Sequence, residues 1–127
     1  MRRRIVWLLL ILIVAACPAN AQKRAFTIED IYRVKSIADA HVSPDGKSIV
    51  YVVGTSNLAQ AKSVTQVWVM DIDGRNARQL TSGEKSSGSP LFSPDGKWIS
   101  FVSTKDGSAN LYVMPAGGGE ARKLTNV

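Results

Sequence analysis

The apolar and polar positions divide the chain into three regimes. Residues 5–16, "IVWLLLILIVAA", form an unbroken apolar run. The stretch "RAFTIEDIYRVKSIADA" follows and reads as a short lead-in helix. Thr27 suits the N-cap, with Glu29 and Asp30 in the first turn, where carboxylates complement the helix dipole. Phe26 and Ile31 stand at the positions of a hydrophobic staple, and the helix is expected to end before Ser36. From His41 onward the pattern changes to apolar bursts separated by turn residues. The bursts are Ile49–Val53, Gln66–Met70, Trp98–Val102 and Asn110–Met114, each rich in the residues that fit a pleated, half-buried surface.

These bursts belong to an internal repeat. "SPDGKSIVYVV…QVWVMDIDGRNARQLT" (43–81) aligns with "SPDGKWISFVS…NLYVMPAGGGEARKLT" (93–125). Trp68 to Leu80 and Tyr112 to Leu124 are both twelve residues apart. The two copies differ by six residues, all between the second and third strands: "GTSNLAQAKSVT" against "TKDGSA". A constant strand frame with a variable loop is how a repeated supersecondary unit behaves. Each copy supplies four strands: a short one before the turn ("AHVS", "PLFS"), one after it, one carrying the aromatic, and a short closing strand ending in "LT". Four antiparallel strands at this period make a β-propeller blade. The expected fold class is all-β: two four-stranded antiparallel blades of an incomplete propeller. Residues 22–38 form the lead-in, 39–82 the first blade and 83–127 the second.

The doubled "SPDG" has a mechanical reading. Pro44 and Pro94 preset φ for the second turn position, Asp45 and Asp95 suit the third, and Gly46 and Gly96 take the left-handed conformation that feeds the next strand. The Ser43 and Ser93 hydroxyls are placed to bond the turn backbone. These eight residues are structural turn residues.

Residue chemistry elsewhere is sparse. "DIDGRN" (71–76) hints at a calcium loop, but an EF-hand needs a Glu at the twelfth position, where Ser82 stands, and the second copy reads "PAGGGE". It is read as a hairpin turn. The one histidine, His41, has no cysteine or second histidine with which to hold a metal, and no Gly-x-Ser-x-Gly elbow occurs. "GGG" at 117–119 opens no helix, which argues against a phosphate cradle. Neither a catalytic group, a cofactor site nor a metal site is expected.

Composition bears mainly on localisation. Arg2, Arg3 and Arg4, the apolar run and "CPANAQ" have the layout of a secretory signal peptide. The run is shorter than the ~20 residues of a membrane span. Two processing routes are open. Ala19-Asn20-Ala21 suits cleavage before Gln22, which makes residues 1–21 the leader. Val14-Ala15-Ala16-Cys17 resembles a lipobox, with 1–16 removed and Cys17 lipidated; only then is membrane attachment expected. Beyond the leader, thirteen basic residues face ten acidic ones and are scattered, so nucleic acid is not an expected partner.

"SPDGK" followed by four apolar residues, then "LYVM" and a Gly-Gly turn closing on "LT", resembles the β-propeller repeats shared by TolB-like periplasmic proteins and the prolyl oligopeptidase family of serine peptidases. The lead-in "FTIEDIYRVKSIADAHVSPDGKSIVYVV" resembles the start of acylaminoacyl-peptidase-like and dipeptidyl-peptidase-like members. The resemblance covers Ala25 to Val127. It implies a propeller that filters peptides by size for an α/β-hydrolase domain, whose nucleophile, Asp and His have no counterparts here. The implied partners are peptides acting through a complete parent protein, the remaining blades and the hydrolase domain. The chain is then expected to be the N-terminal part of an exported peptidase, with a TolB-like interaction module as the alternative. Two blades leave an apolar face and strand edges open, so marginal stability or self-association is expected of the isolated chain.

Overall fold

The computed structural model describes residues 24–127; the leader, its cleavage site and Cys17 lie outside the described residues. A six-residue helix, α1 (Ile28–Arg33), precedes eight strands: β1 (Ser36–Val42), β2 (Ser48–Asn57), β3 (Lys62–Asp71), β4 (Arg78–Gln79), β5 (Ser87–Phe92), β6 (Trp98–Ser103), β7 (Asn110–Pro115) and β8 (Arg122–Lys123). They form two four-stranded antiparallel sheets in sequential order, β1-β2-β3-β4 and β5-β6-β7-β8. None of the described helices is long and apolar enough to cross a membrane.

The helix starts where Thr27 predicts, but the carboxylate does the capping. Thr27 N–H donates to Asp30 at 2.9 Å, and the Thr27 hydroxyl donates to the same oxygen at 3.1 Å. Phe26 and Ile31 are both exposed, so the expected staple buries nothing.

The first strand of each sheet is longer than its sequence signal. Pairing was expected over 40–43 and 90–93, yet β1 begins at Ser36 and β5 at Ser87. In both, the register shifts at a bulge, between Ala38 and His41 and between Gly88 and Leu91. Asp39 (φ +52°) and Ser89 (φ +51°) occupy the same repeat position and carry the left-handed kink. The extra residue breaks the alternation that a sequence scan follows, and pairing resumes upstream of it.

The six-residue difference between the copies is also not simply a longer loop. β2 and β3 stay in register to Asn57↔Lys62, whereas β6 and β7 stop at Ser103↔Asn110. The first copy spends its extra residues on a longer hairpin, whose polar tip gave no strand signal.

The sheets pack face to face. One face of the first sheet carries Val50, Val52, Val67 and Val69, and its registered pairs are Val50↔Val69 and Val52↔Val67. It meets the face of the second sheet carrying Ile99, Phe101, Tyr112 and Met114, and Val50, Val67 and these four form one buried cluster. Burying each such side chain contributes ~1.5–3 kcal/mol. The Phe101 and Tyr112 rings stack with centroids 5.7 Å apart.

Candidate functional site

Both "SPDG" turns have the same hydrogen bonds. Gly46 N–H donates to Ser43 C=O at 2.9 Å and Gly96 N–H to Ser93 C=O at 2.8 Å. The Ser43 hydroxyl donates to Asp45 Oδ1 at 2.6 Å and accepts from Ser48 N–H at 2.9 Å. Ser93 does the same with Asp95 at 2.5 Å and Trp98 N–H at 3.0 Å. The Lys47 and Lys97 backbone N–H groups donate to the Asp oxygens, each at 3.1 Å. Gly46 (φ +71°) and Gly96 (φ +70°) are left-handed. Each carboxylate is held below its usual pKa range, first by the serine hydroxyl and then by the lysine N–H. The serine hydroxyl, the glycine N–H and the lysine N–H of each copy are all bonded within the motif, so the geometry describes a turn.

The closing "LT" is a second repeated device. Val67 N–H donates to Thr81 Oγ1 at 2.9 Å, and that hydroxyl donates to Gln66 Oε1 at 2.6 Å. Leu111 N–H donates to Thr125 Oγ1 at 3.0 Å, and Thr125 donates to Asn110 Oδ1 at 3.1 Å. Each threonine locks the closing strand onto the third through an amide side chain. Buried Gln66 also donates its Nε2 to Gly83 and Lys85 C=O, both at 3.0 Å, fixing the connection into β5. Across the seam Arg78 Nη2 donates to Ala116 C=O at 2.9 Å, and Thr65 N–H to Ser86 Oγ at 3.2 Å. Thr81, Gln66 and Arg78 gave no chemical signal in the sequence; the signal available was their recurrence as Thr125, Asn110 and Arg122.

The remaining candidates are engaged locally. His41 Nε2 lies 3.1 Å from Asp39 Oδ1 on the bulged strand. In "DIDGRN", Asp71 accepts from Asn76 Nδ2 at 2.7 Å and Asp73 from Arg75 Nε at 2.8 Å, so each carboxylate serves its own turn. Asp30 is turned back onto Thr27 and ion-paired with Arg24. Among the described residues no group of three or more His, Cys, Asp or Glu is placed to hold a metal. Tyr112 donates to Asp106 Oδ2 at 2.6 Å, with Lys105 Nζ 4.4 Å from its ring centroid. Burial first, and the Asp106 carboxylate second, push its phenol up to about 12. A cleft of about 480 Å³ opens on the other face of the first sheet, over Val53, Gln66, Trp68 and Gln79.

Comparison with known proteins agrees with this architecture. The model of the TolB beta propeller domain matches residues 41–127. The chain is 36% identical over 106 residues to Uncharacterized peptidase YuxL of Bacillus subtilis, covering 83% of this chain and 16% of that protein. It is 28% identical over 108 residues to dipeptidyl-peptidase 5 of Porphyromonas endodontalis, covering 85% and 16%. It thus spans about a sixth of the length of these curated relatives. The solved structure of Pyrococcus horikoshii acylaminoacyl peptidase superposes with a TM-score of 0.67 at 19% identity, over 80% of this chain and 16% of that one. Putative TolB from Agrobacterium tumefaciens superposes with a TM-score of 0.57 at 34% identity, over 69% and 30%. With two sequential four-stranded blades, a repeated turn and clamp, and a family match over residues 41–127, the chain belongs to the TolB β-propeller domain family.

Proposed function

We propose that this chain is the propeller portion of an exported serine peptidase of the prolyl oligopeptidase kind, where it controls which peptides reach a hydrolase domain carried elsewhere in the parent protein. The observation that carries the reading is the extent of the peptidase likeness. At 106 residues and 83% of the chain, the alignment to the Bacillus relative is longer than the 41–127 blade region and so reaches into the lead-in. The partners in this reading are peptides, further blades and the hydrolase domain, with no nucleic acid. Export rests on Arg2–Arg4, the apolar run and Ala19-Asn20-Ala21, and lipidation of Cys17 is the route to a membrane.

The internal saturation of the turns and clamps supports a scaffolding role for these residues. Gating is then a matter of blade rigidity and channel width, with the chemistry located outside the blades. The test is to read the chromosome beyond the Val127 codon and treat the native gene product with an active-site serine reagent. Further blades, a Gly-x-Ser-x-Gly elbow and a labelled serine are expected. A stop after the blades, with no labelled serine, overturns the reading. That outcome favours a TolB-like protein-interaction module, the second reading, which the 34% identity to putative TolB supports. Gating is tested on the same enzyme: short peptides should be cleaved and folded proteins spared. Equal cleavage of both refutes it. The mass of the mature N-terminus separates cleavage before Gln22 from lipidation at Cys17.

A further inference from the structure

The turn "DIDGRN" (71–76) is a motif that the blade repeat leaves unexplained. Its counterpart is "PAGGGE", so Pro115 and Glu120 stand where the first copy has Asp71 and Asn76. Both turns join a third strand to a fourth, and the backbone closes either way. Gly74 N–H donates to Asp71 C=O and Gly118 N–H to Pro115 C=O, each at 2.9 Å. The hairpin therefore does not require the Asp71 and Asn76 side chains.

Both side chains line a cleft of about 170 Å³ at the end of the seam that carries the "SPDG" turns. Its walls include Asp45, Asp71, Asn76 and Arg78 from the first blade and Phe92 and Ala116 from the second. Asp45 uses Oδ1 for the Ser43 hydroxyl and Lys47 N–H, and Asp71 uses Oδ2 for Asn76 Nδ2. The second oxygen of each carboxylate has no hydrogen-bond partner among the described residues. Arg78 spends Nη2 on the Ala116 carbonyl and makes no ion pair among the described residues. Gly118 leaves room for it, since a Cβ there would lie 2.8 Å from Arg78 Nη1. A guanidinium and two carboxylates thus share one cleft without pairing with each other. A metal ion finds too few ligands, because no group of three or more His, Cys, Asp or Glu is placed to hold one among the described residues, and it meets the Arg78 charge. A simple anion meets both carboxylates. The charges complement a molecule that carries an ammonium and a carboxylate together. The volume is below the ~300–1,000 Å³ of drug-sized pockets, so it admits a single amino acid and excludes a longer peptide. Phe92, which packs on the core, supplies an apolar wall.

We infer that this cleft binds a free α-amino acid with an apolar side chain, its ammonium on Asp45 and Asp71 and its carboxylate on Arg78. Both ends are then held by charge-assisted hydrogen bonds, which are about twice as strong as neutral ones. The side chain lies against Phe92. The inference does not depend on the peptidase reading, since every residue that forms the cleft belongs to these two blades.

The experiment is isothermal titration calorimetry of the 127-residue chain with L-leucine up to ~10 mM, where a Kd of ~1 mM or below is expected. Isoamylamine, which lacks the carboxylate, and isocaproate, which lacks the ammonium, should each bind at least ~10-fold more weakly. Asp71→Asn keeps the shape and removes the charge, and it should raise the Kd for L-leucine at least ~10-fold, as should Arg78→Met. Asp73→Asn, on the same turn but outside the cleft, should leave the Kd unchanged. Circular dichroism establishes that each variant is folded. Arg78→Met also removes the bond to Ala116, and where it unfolds, Asp71→Asn decides alone. The absence of saturable binding up to ~10 mM overturns the proposal and leaves the cleft to water. Isoamylamine binding as tightly as L-leucine also overturns it, because the cleft is then a site for a lone cation. A Kd that folded Asp71→Asn leaves unchanged does the same.

Discussion

Thr81→Val tests whether the repeated "LT" is an energetic clamp. Valine keeps the shape of threonine and removes the hydroxyl, so the change leaves little cavity and acts through hydrogen bonding. It strands two groups: Val67 N–H, which loses its acceptor at 2.9 Å, and Gln66 Oε1, which loses its donor at 2.6 Å. Val67 and Gln66 are both buried. A buried polar group left unpaired costs about 1–3 kcal/mol. Thr81 itself is half-buried, which lets water recover part of that, and the expected loss is ~2 kcal/mol. Thr125→Val deletes the same bonds from the second blade, but buried Asn110 Oδ1 keeps the Val127 N–H at 3.0 Å and half-buried Leu111 N–H lies beside the exposed Thr125 site, where water reaches it, so ~0.5–1 kcal/mol is expected. The assay is urea unfolding followed by tryptophan fluorescence, at one fixed protein concentration because association adds to apparent stability. With an m-value of ~1–1.5 kcal/mol/M for a chain of this size, Thr81→Val should lower the midpoint by more than ~1 M and Thr125→Val by about half that or less. Equal shifts for the two variants, or a larger one for Thr125→Val, refute the argument that blade-to-blade burial sets the value of the clamp.

Three further outcomes follow from the turns and the tyrosine cluster. Gly46→Ala and Gly96→Ala put a side chain at φ +71° and +70°, where L-residues lose about 1–2 kcal/mol, so each should lower the urea midpoint; unchanged midpoints would show that the turns relax. The pKa values of Asp45 and Asp95 are depressed on folding, so their contribution is present above the unfolded value of ~3.9 and lost as pH falls through the folded one. The double variant Asp45→Asn, Asp95→Asn should therefore flatten the acid limb of stability below about pH 4, and an acid limb identical to that of the unmodified chain would count against this. Tyr112 is raised to about 12, so its stabilisation is complete below the unfolded value of ~10 and is lost as pH climbs towards 12. Phenolate absorbance in the native protein should contain a late step near pH 12 that Tyr112→Phe removes; a spectrum unaltered by that change refutes the assignment.

Blade number, strand order and the "SPDG" turns were legible in the sequence because their causes are local. Pro and Gly fix backbone angles within four residues, and alternating apolar bursts fix which segments become strands. Repetition then supplied the register: Trp68 and Tyr112 hold the same place in their units and, in the structure, the same place in their sheets. The lead-in helix was visible through Thr27 and the acidic first turn, again a matter of one turn of chain.

What tertiary structure decided is what depends on residues distant in sequence. The bulges at Asp39 and Ser89 exist because a partner strand holds both sides of the kink, so neither looked like strand in isolation. The long polar hairpin of the first blade is stabilised by pairing in register rather than by the composition of its tip. Thr81 and Thr125 carry the same residue at the same repeat position, yet one serves a half-buried seam and the other an exposed edge. Sequence determined which side chains lie on each face of a blade, since alternation is a property of the strand alone. Only the packing of one sheet on the other decided which face is buried, because burial depends on the neighbour and each blade has two faces to offer.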